Sequence, residues 1–218
     1  MELFWTYWPD LAPFAAAAAP RLTPDRRRSM ARRAAPEDRL RALAAGLLLR
    51  RVLGVRADDA LTLNPWGKPR LCRPGGPGFS LSHAGAYAVL AVGRPPLGVD
   101  VEPRPALGSP LPLRGLHPAE RLALARSSRP ANCWLRLWTG KESLLKAVGL
   151  GLWLNPESFS LLPLCDGPHP WGKRIWHLAW RELPGHVLAV AARQPLTALR
   201  LTRLAPADLL ADGAAPRP

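Results

Sequence analysis

Between residues 103 and 115 the chain carries Pro103, Pro105, Pro110 and Pro112 together with Gly108 and Gly115, a spacing that neither a helix nor a central strand tolerates. Two lobes are therefore expected, 1–103 and 104–218, joined by this segment. At 218 residues and 48% hydrophobic content the chain can bury a sizeable core. It holds no run of eighteen apolar residues that would suggest a membrane span. The start Met1-Glu2-Leu3-Phe4-Trp5 lacks the basic and apolar regions of a secretion signal, so a cytoplasmic location is expected.

Local patterns fill in the two parts. Residues 3–8 read as a strand, and residues 37–53, rich in Leu and Ala between Pro36 and Gly54, read as a helix. A basic stretch, 21–33, lies between them. Residues 79–92 read as a strand, Gly93-Arg94-Pro95-Pro96 as a turn, and 97–102 as a second strand pairing with the first in an antiparallel hairpin. Beyond the linker, Pro118 can start a short helix over 118–126, and Asn132 can cap a longer one that runs to Ala147 and stops at Gly149. Strands are expected at 158–164, 175–181, 186–192 and 196–203, and a short helix with a disordered end after Pro206. The fold class is α+β, with antiparallel sheets packed with helices in two lobes.

A formal charge of +14 calls for an anionic partner, which can be nucleic acid, a phosphorylated cofactor or an acidic protein surface. Only four of the 30 basic residues are lysines, Lys68, Lys141, Lys146 and Lys173. In so arginine-biased a chain a retained ammonium suits a tight phosphate or carboxylate site. Cys72, Cys133 and Cys165 form no C-x-x-C pair, and the five histidines no H-E-x-x-H. A disulfide framework and a zinc enzyme are thereby set aside.

Three segments carry chemistry. In Leu97-Gly98-Val99-Asp100-Val101-Glu102 the apolar side chains share one strand face, so Asp100 and Glu102 share the other. Adjacent carboxylates repel unless a cation sits between them, and hard oxygen ligands suit Mg²⁺; an ordinary strand with a wet face reads equally well from this segment alone. In the expected helix from Asn132, Trp138, Glu142 and Lys146 share one face at spacings of four, ringed by Leu135, Leu137, Leu144, Leu145 and Val148. Finally, Gly67-Lys68-Pro69 presents a lysine on a turn, and Ser82-His83 can donate to a phosphate.

In this order, Gly67-Lys68-Pro69, Ser82-His83-Ala84-Gly85, Gly98-Val99-Asp100-Val101-Glu102, and Trp138 with Lys141-Glu142-Ser143-Leu144-Leu145-Lys146 resemble the signature of Sfp-type (surfactin-synthetase-activating) 4'-phosphopantetheinyl transferases. The likeness extends to Thr23-Pro24-Asp25-Arg26, to Glu37-Asp38 with Arg41, to Glu120 and to Gly149-Leu150-Gly151-Leu152. It implies a pseudo-twofold pair of lobes and an enzyme that moves phosphopantetheine from coenzyme A to a serine of an apo carrier protein; the two-lobed length favours a monomer. By the same resemblance Asp100, Glu102 and Glu142 hold Mg²⁺, with Mn²⁺ as a substitute. Arg26, Arg41, Lys68, Pro69, Ser82, His83, Asp100, Lys141 and Lys146 meet coenzyme A, and Glu142 and Lys146 serve catalysis.

Two positions depart from the pattern, Ala84 where serine is usual and Ser29 where a basic residue is usual; the second leaves Arg27 or Arg28 to supply the charge. Two other readings stand beside this one, a basic nucleic-acid-binding protein and a non-catalytic coenzyme A binder. The first lacks the interleaved aromatics or groove-reading helix that nucleic-acid binding needs, and the full carboxylate set speaks against the second. No nucleic-acid or membrane partner is expected.

Overall fold

The computed structural model describes residues 1–212. In chain order the elements are β1 (Glu2–Tyr7), α1 (Ala15–Ala18), α2 (Pro24–Ala31), α3 (Pro36–Leu53), β2 (Leu61–Leu63), β3 (Pro69–Leu71), β4 (Gly78–Ala84), β5 (Tyr87–Gly93), β6 (Leu97–Pro103), α4 (Pro118–Ala125), α5 (Pro130–Val148), β7 (Gly167–Trp171), β8 (Arg174–Leu183), β9 (His186–Ala192), β10 (Arg200–Arg203) and α6 (Pro206–Leu210). The expected disordered end lies outside the described residues. No described helix is long and apolar enough to cross a membrane.

The protein is α+β. One sheet has the order β10-β1-β5-β4, another β6-β9-β8-β7, and β2 pairs with β3. All pairings are antiparallel except β1 with β10, which run parallel. The alternation of the strands assembles the layers. Phe4, Ala88 and Leu90 pack with Leu43 and Leu47 of α3, while Leu3, Val89 and Ala91 on the other side of the same strands meet Val99, Val101, Leu188 and Val190. The far side of the second sheet, with Trp176, Leu178 and Ala189, packs on Leu137 and Leu144 of α5. The order is thus helix, sheet, sheet, helix.

Both long helices obey their end signals. Pro36 opens α3, Glu37 and Asp38 sit in its first turn and Arg50 and Arg51 in its last, each sign matching the helix dipole. Gly54 and Gly149 close α3 and α5 in the left-handed conformation, with φ of 71° and 76°.

Several expectations are corrected. The chain turns back at Gly85, so residues 79–92 are two paired strands, and β6 pairs with β9 rather than continuing that hairpin. β6 stacks on the first sheet instead, because its Leu97, Val99 and Val101 row is buried against Val89 and Ala91. The division at 103 and 104 therefore does not follow the sheets: β6 joins the second sheet and β10 the first. Residues 158–164 form no strand, since buried side chains take their backbone groups: Leu161 N–H donates to Glu120 and Phe159 C=O accepts from Lys141. The long helix starts at Pro130 rather than at Asn132, and the last strand covers only Arg200–Arg203.

Candidate active site

The site forms where β4, β6 and α5 meet. Gly98 permits the contact: a Cβ there would lie 2.0 Å from the Ser143 carbonyl oxygen and 2.4 Å from the Ala147 nitrogen, a clash no side chain accommodates. Ser80 Oγ accepts from the Val99 N–H at 3.1 Å and fixes β4 beside β6. Two residues along, Ser82 Oγ donates to Asp100 Oδ1 at 2.8 Å. From α5, Lys146 Nζ donates to Asp100 Oδ1 at 2.6 Å and to Ser82 Oγ at 2.9 Å, leaving one of its three donors uncommitted among the described residues. Asp100 is 3% exposed, and its Oδ2 is buried with no hydrogen-bond partner.

A buried carboxylate oxygen left in this way costs free energy unless a donor or a cation meets it. Its neighbours make the excess of negative charge larger. Burial, opposed by Lys146 and Ser82, raises the Asp100 pKa. Burial and then the charge of Asp100 raise Glu142. For Glu102, burial, Asp100 and Glu142 together outweigh Lys146 and a hydrogen bond with Trp138, and its pKa rises to about 7. Three hard-oxygen side chains that repel one another around an unpartnered oxygen fit a small divalent cation. They do not yet surround a common point, for among the described residues no three His, Cys, Asp or Glu side chains are arranged to hold an ion.

Cavities open on both sides of Glu142. One, of about 400 Å³, is lined by Gly67, Lys68, Pro69, Ser80, Glu142 and Lys146. The other, of about 860 Å³, is lined by Glu102, Arg114, Trp138, Glu142, Trp153 and Glu157 among others. Trp134 and Trp138 stack with rings 6.1 Å apart and 7° from parallel, and Trp153 is 83% exposed. Glu142 thus lies between a largely apolar cavity that holds Lys68 and Lys146 and a larger one rich in tryptophan. Trp138 and Lys146, named together from helical spacing, serve different sides of α5.

The remaining sequence-named residues fall into three groups. Lys68 Nζ donates to the Leu97 and Ala147 carbonyls at 2.9 and 3.2 Å, bracing β6 and the end of α5; burial lowers its pKa to about 8. Arg41 donates to Gly85 C=O and to Asp38 and lies over Trp8, beside the exposed end of β4 that carries His83. The surrounding protein and then the charges of Arg33, Lys146 and Arg41 lower the His83 pKa. Arg26 is half-buried on α2, its pKa lowered by burial and partly restored by Asp58.

Lys141 departs from its expected contact with coenzyme A. It is 0% exposed, and its three donors go to Glu120 Oε2 at 2.9 Å, Pro156 O at 2.7 Å and Phe159 O at 2.6 Å. Nothing of the ammonium is left for a ligand. Its role is to hold the 156–161 segment, one wall of the larger cavity, against α4 and α5. One residue escaped sequence reasoning: Ser80, whose alternation with Ser82 was the available signal.

The family model of the 4'-phosphopantetheinyl transferase superfamily matches residues 96–191, the stretch that supplies Asp100, Glu102, Glu142 and Lys146. The chain is 28% identical to 4'-phosphopantetheinyl transferase Sfp of Bacillus subtilis (strain 168) over 188 residues, covering 80% of this chain and 83% of that one. It is 29% identical to 4'-phosphopantetheinyl transferase ffp of Bacillus subtilis over 73% of this chain and 76% of the other. To 4'-phosphopantetheinyl transferase gsp of Aneurinibacillus migulanus it is 28% identical over 56% and 54%. By these matches the chain is similar to the 4'-phosphopantetheinyl transferases, Sfp-type members among them.

Proposed function

We propose that this protein transfers the 4'-phosphopantetheine group of coenzyme A to a serine hydroxyl of an apo carrier protein and releases 3',5'-ADP. The observation that carries this reading is the linkage of Lys146, Ser82 and Asp100, which leaves one Asp100 oxygen unpartnered in a cluster with Glu142, and Glu142 lines both cavities. The diphosphate of coenzyme A lies toward Lys146, whose uncommitted donor meets phosphoryl oxygen, and the smaller cavity takes the nucleotide. The aromatic cavity is open to the pantetheine arm and the incoming carrier.

Asp100, Glu102 and Glu142 would hold Mg²⁺. Bound there, the ion supplies positive charge to the phosphoryl oxygens as negative charge builds on them. Glu142 faces both cavities and takes the proton of the serine hydroxyl, a weak nucleophile until a base relieves it. The serine oxygen bonds to the β-phosphorus as the bond from that phosphorus to the bridging oxygen of the diphosphate breaks. The 3',5'-ADP leaves with the electron pair. Ser82 and Asp100 keep Lys146 aimed at the diphosphate, and the Glu120–Lys141 pair keeps the cavity wall in place.

Incubation with coenzyme A, Mg²⁺ and a set of apo carrier proteins, followed by intact-mass measurement, tests the reading. A carrier gaining one phosphopantetheine, abolished by excess chelator, is the expected result. No mass gain on any carrier, or a gain undiminished by chelator, overturns the transfer or the metal assignment respectively.

A further inference from the structure

The Pro- and Gly-rich linker lies open to solvent over most of 103–114, yet one hydrogen bond ties it to α5. The Pro112 carbonyl accepts from the Trp134 indole N–H at 2.6 Å. One residue earlier Leu111 packs on the α5 core, and three residues later the Gly115 N–H donates to Glu157 Oε1 at 2.9 Å. Residues 111–115 thus form a strap, and its Pro112, Arg114 and Gly115 line the larger cavity together with Glu102, Trp134 and Trp138.

Trp134 and Trp138 are one turn of α5 apart, which sets one side chain over the other. Their rings lie 7° from parallel with centroids 6.1 Å apart, an offset stack in which neither ring turns freely. The strap confines Trp138 as well, since a Cβ at Gly115 would lie 3.0 Å from Trp138 Cζ3. Trp138 in turn donates a hydrogen bond to Glu102. A continuous path therefore runs from the Pro112 carbonyl through two stacked indoles to a carboxylate of the site. Glu102 needs such a restraint, because it is only half-buried and the charges of Asp100 and Glu142 repel it. Without a donor its side chain turns out into the open cavity before a cation arrives.

We propose that Trp134 is a positioning residue for Glu102. Anchored on Pro112, it holds the Trp138 ring at the angle that keeps the indole N–H on the Glu102 carboxylate, and so keeps that carboxylate beside Asp100 as a ligand for the divalent ion. Water can serve an exposed proline carbonyl as well as an indole does; what Trp134 adds is a fixed ring. The inference rests on the proposed use of Asp100, Glu102 and Glu142 as metal ligands, but not on the transfer step.

Electron paramagnetic resonance of free Mn²⁺, titrated into the protein with saturating coenzyme A, tests it, with calorimetry of coenzyme A in the absence of the ion as the second readout. Trp134→Ala should weaken Mn²⁺ by roughly 10–100-fold, the usual cost of removing the support of a metal ligand, and leave coenzyme A binding unchanged. Trp134→Phe, which keeps a stacked ring without the N–H, should fall between, and it carries the test if the alanine variant does not fold. In a Glu102→Gln background either substitution should add little, because the side chain it positions is already altered. Losses that add in full would show Trp134 acting elsewhere and overturn the proposal. So would wild-type Mn²⁺ affinity in both variants, or an equal loss of coenzyme A. A wild-type protein that binds coenzyme A but no Mn²⁺ would overturn the metal assignment itself.

Discussion

Glu120→Gln is the substitution whose cost the structure defines best. Glu120 and Lys141 are both 0% exposed, and the carboxylate has three partners: Leu161 N–H at Oε1, and His117 N–H and the Lys141 ammonium at Oε2. Glutamine supplies one acceptor oxygen, so at least one buried N–H loses its partner to an amide that also donates, and the ammonium loses its counter-charge. Breaking a buried pair from one side costs about 3–5 kcal/mol. For a chain of this size each kcal/mol shifts the melting temperature by roughly 2–4 °C, and the expected fall is about 6–20 °C. Urea and thermal unfolding followed by circular dichroism at neutral pH measure it. Lys141→Met should cost a similar amount and the double variant less than the sum, because no charge is then left buried. A loss below about 1 kcal/mol, the value of an exposed ion pair, with additive single effects, refutes the reasoning.

In single-turnover measurements Glu142→Gln should slow transfer by roughly 10²–10⁴-fold at saturating Mg²⁺ with coenzyme A binding kept, whereas Asp100→Asn should recover as Mg²⁺ is raised or Mn²⁺ substituted; equal recovery would make Glu142 a ligand only. Lys68 titrates near 8 instead of 10.5, so between those values the unfolded chain holds more protons and stability rises with pH. The unfolding free energy of the wild type should gain on that of Lys68→Met across this window, and parallel curves would contradict the burial of its ammonium. With a net charge of +14, the KM for an acidic carrier should rise with salt as the Debye length falls from about 10 Å at 0.1 M; a flat dependence would assign docking to apolar contacts.

The two long helices, β9 and the placement of Asp100 opposite an apolar strand face were legible because each rests on a local rule, whether a capping glycine, a proline at a helix start or a period of two. The partner of β6 was not, since Leu97, Val99 and Val101 need an apolar surface but do not say which, and the nearest in sequence lost to β9. Lys141 shows the opposite limit. Its motif neighbours Glu142 and Lys146 face the cleft, yet a helix turns successive residues through about 100°, so Lys141 points into the lobe. Sequence carries the rotation, but not which faces are open.

The strand exchange also dictates when the protein can assemble during synthesis. β6 emerges with its carboxylates long before β9, with which it pairs from Leu97↔Ala192 to Pro103↔His186, and β1 waits for β10, Glu2 for Arg200. Pairings this distant in sequence are slow to form, and the two sheets are completed only when β9 and β10 have been made. Until β9 has been made, β6 lacks its pairing partner and presents an unpaired, apolar strand edge, a natural substrate for chaperones. Asp100 and Glu102 reach their places only once β9 has paired with β6, so a chain cut short before His186 holds no complete cleft.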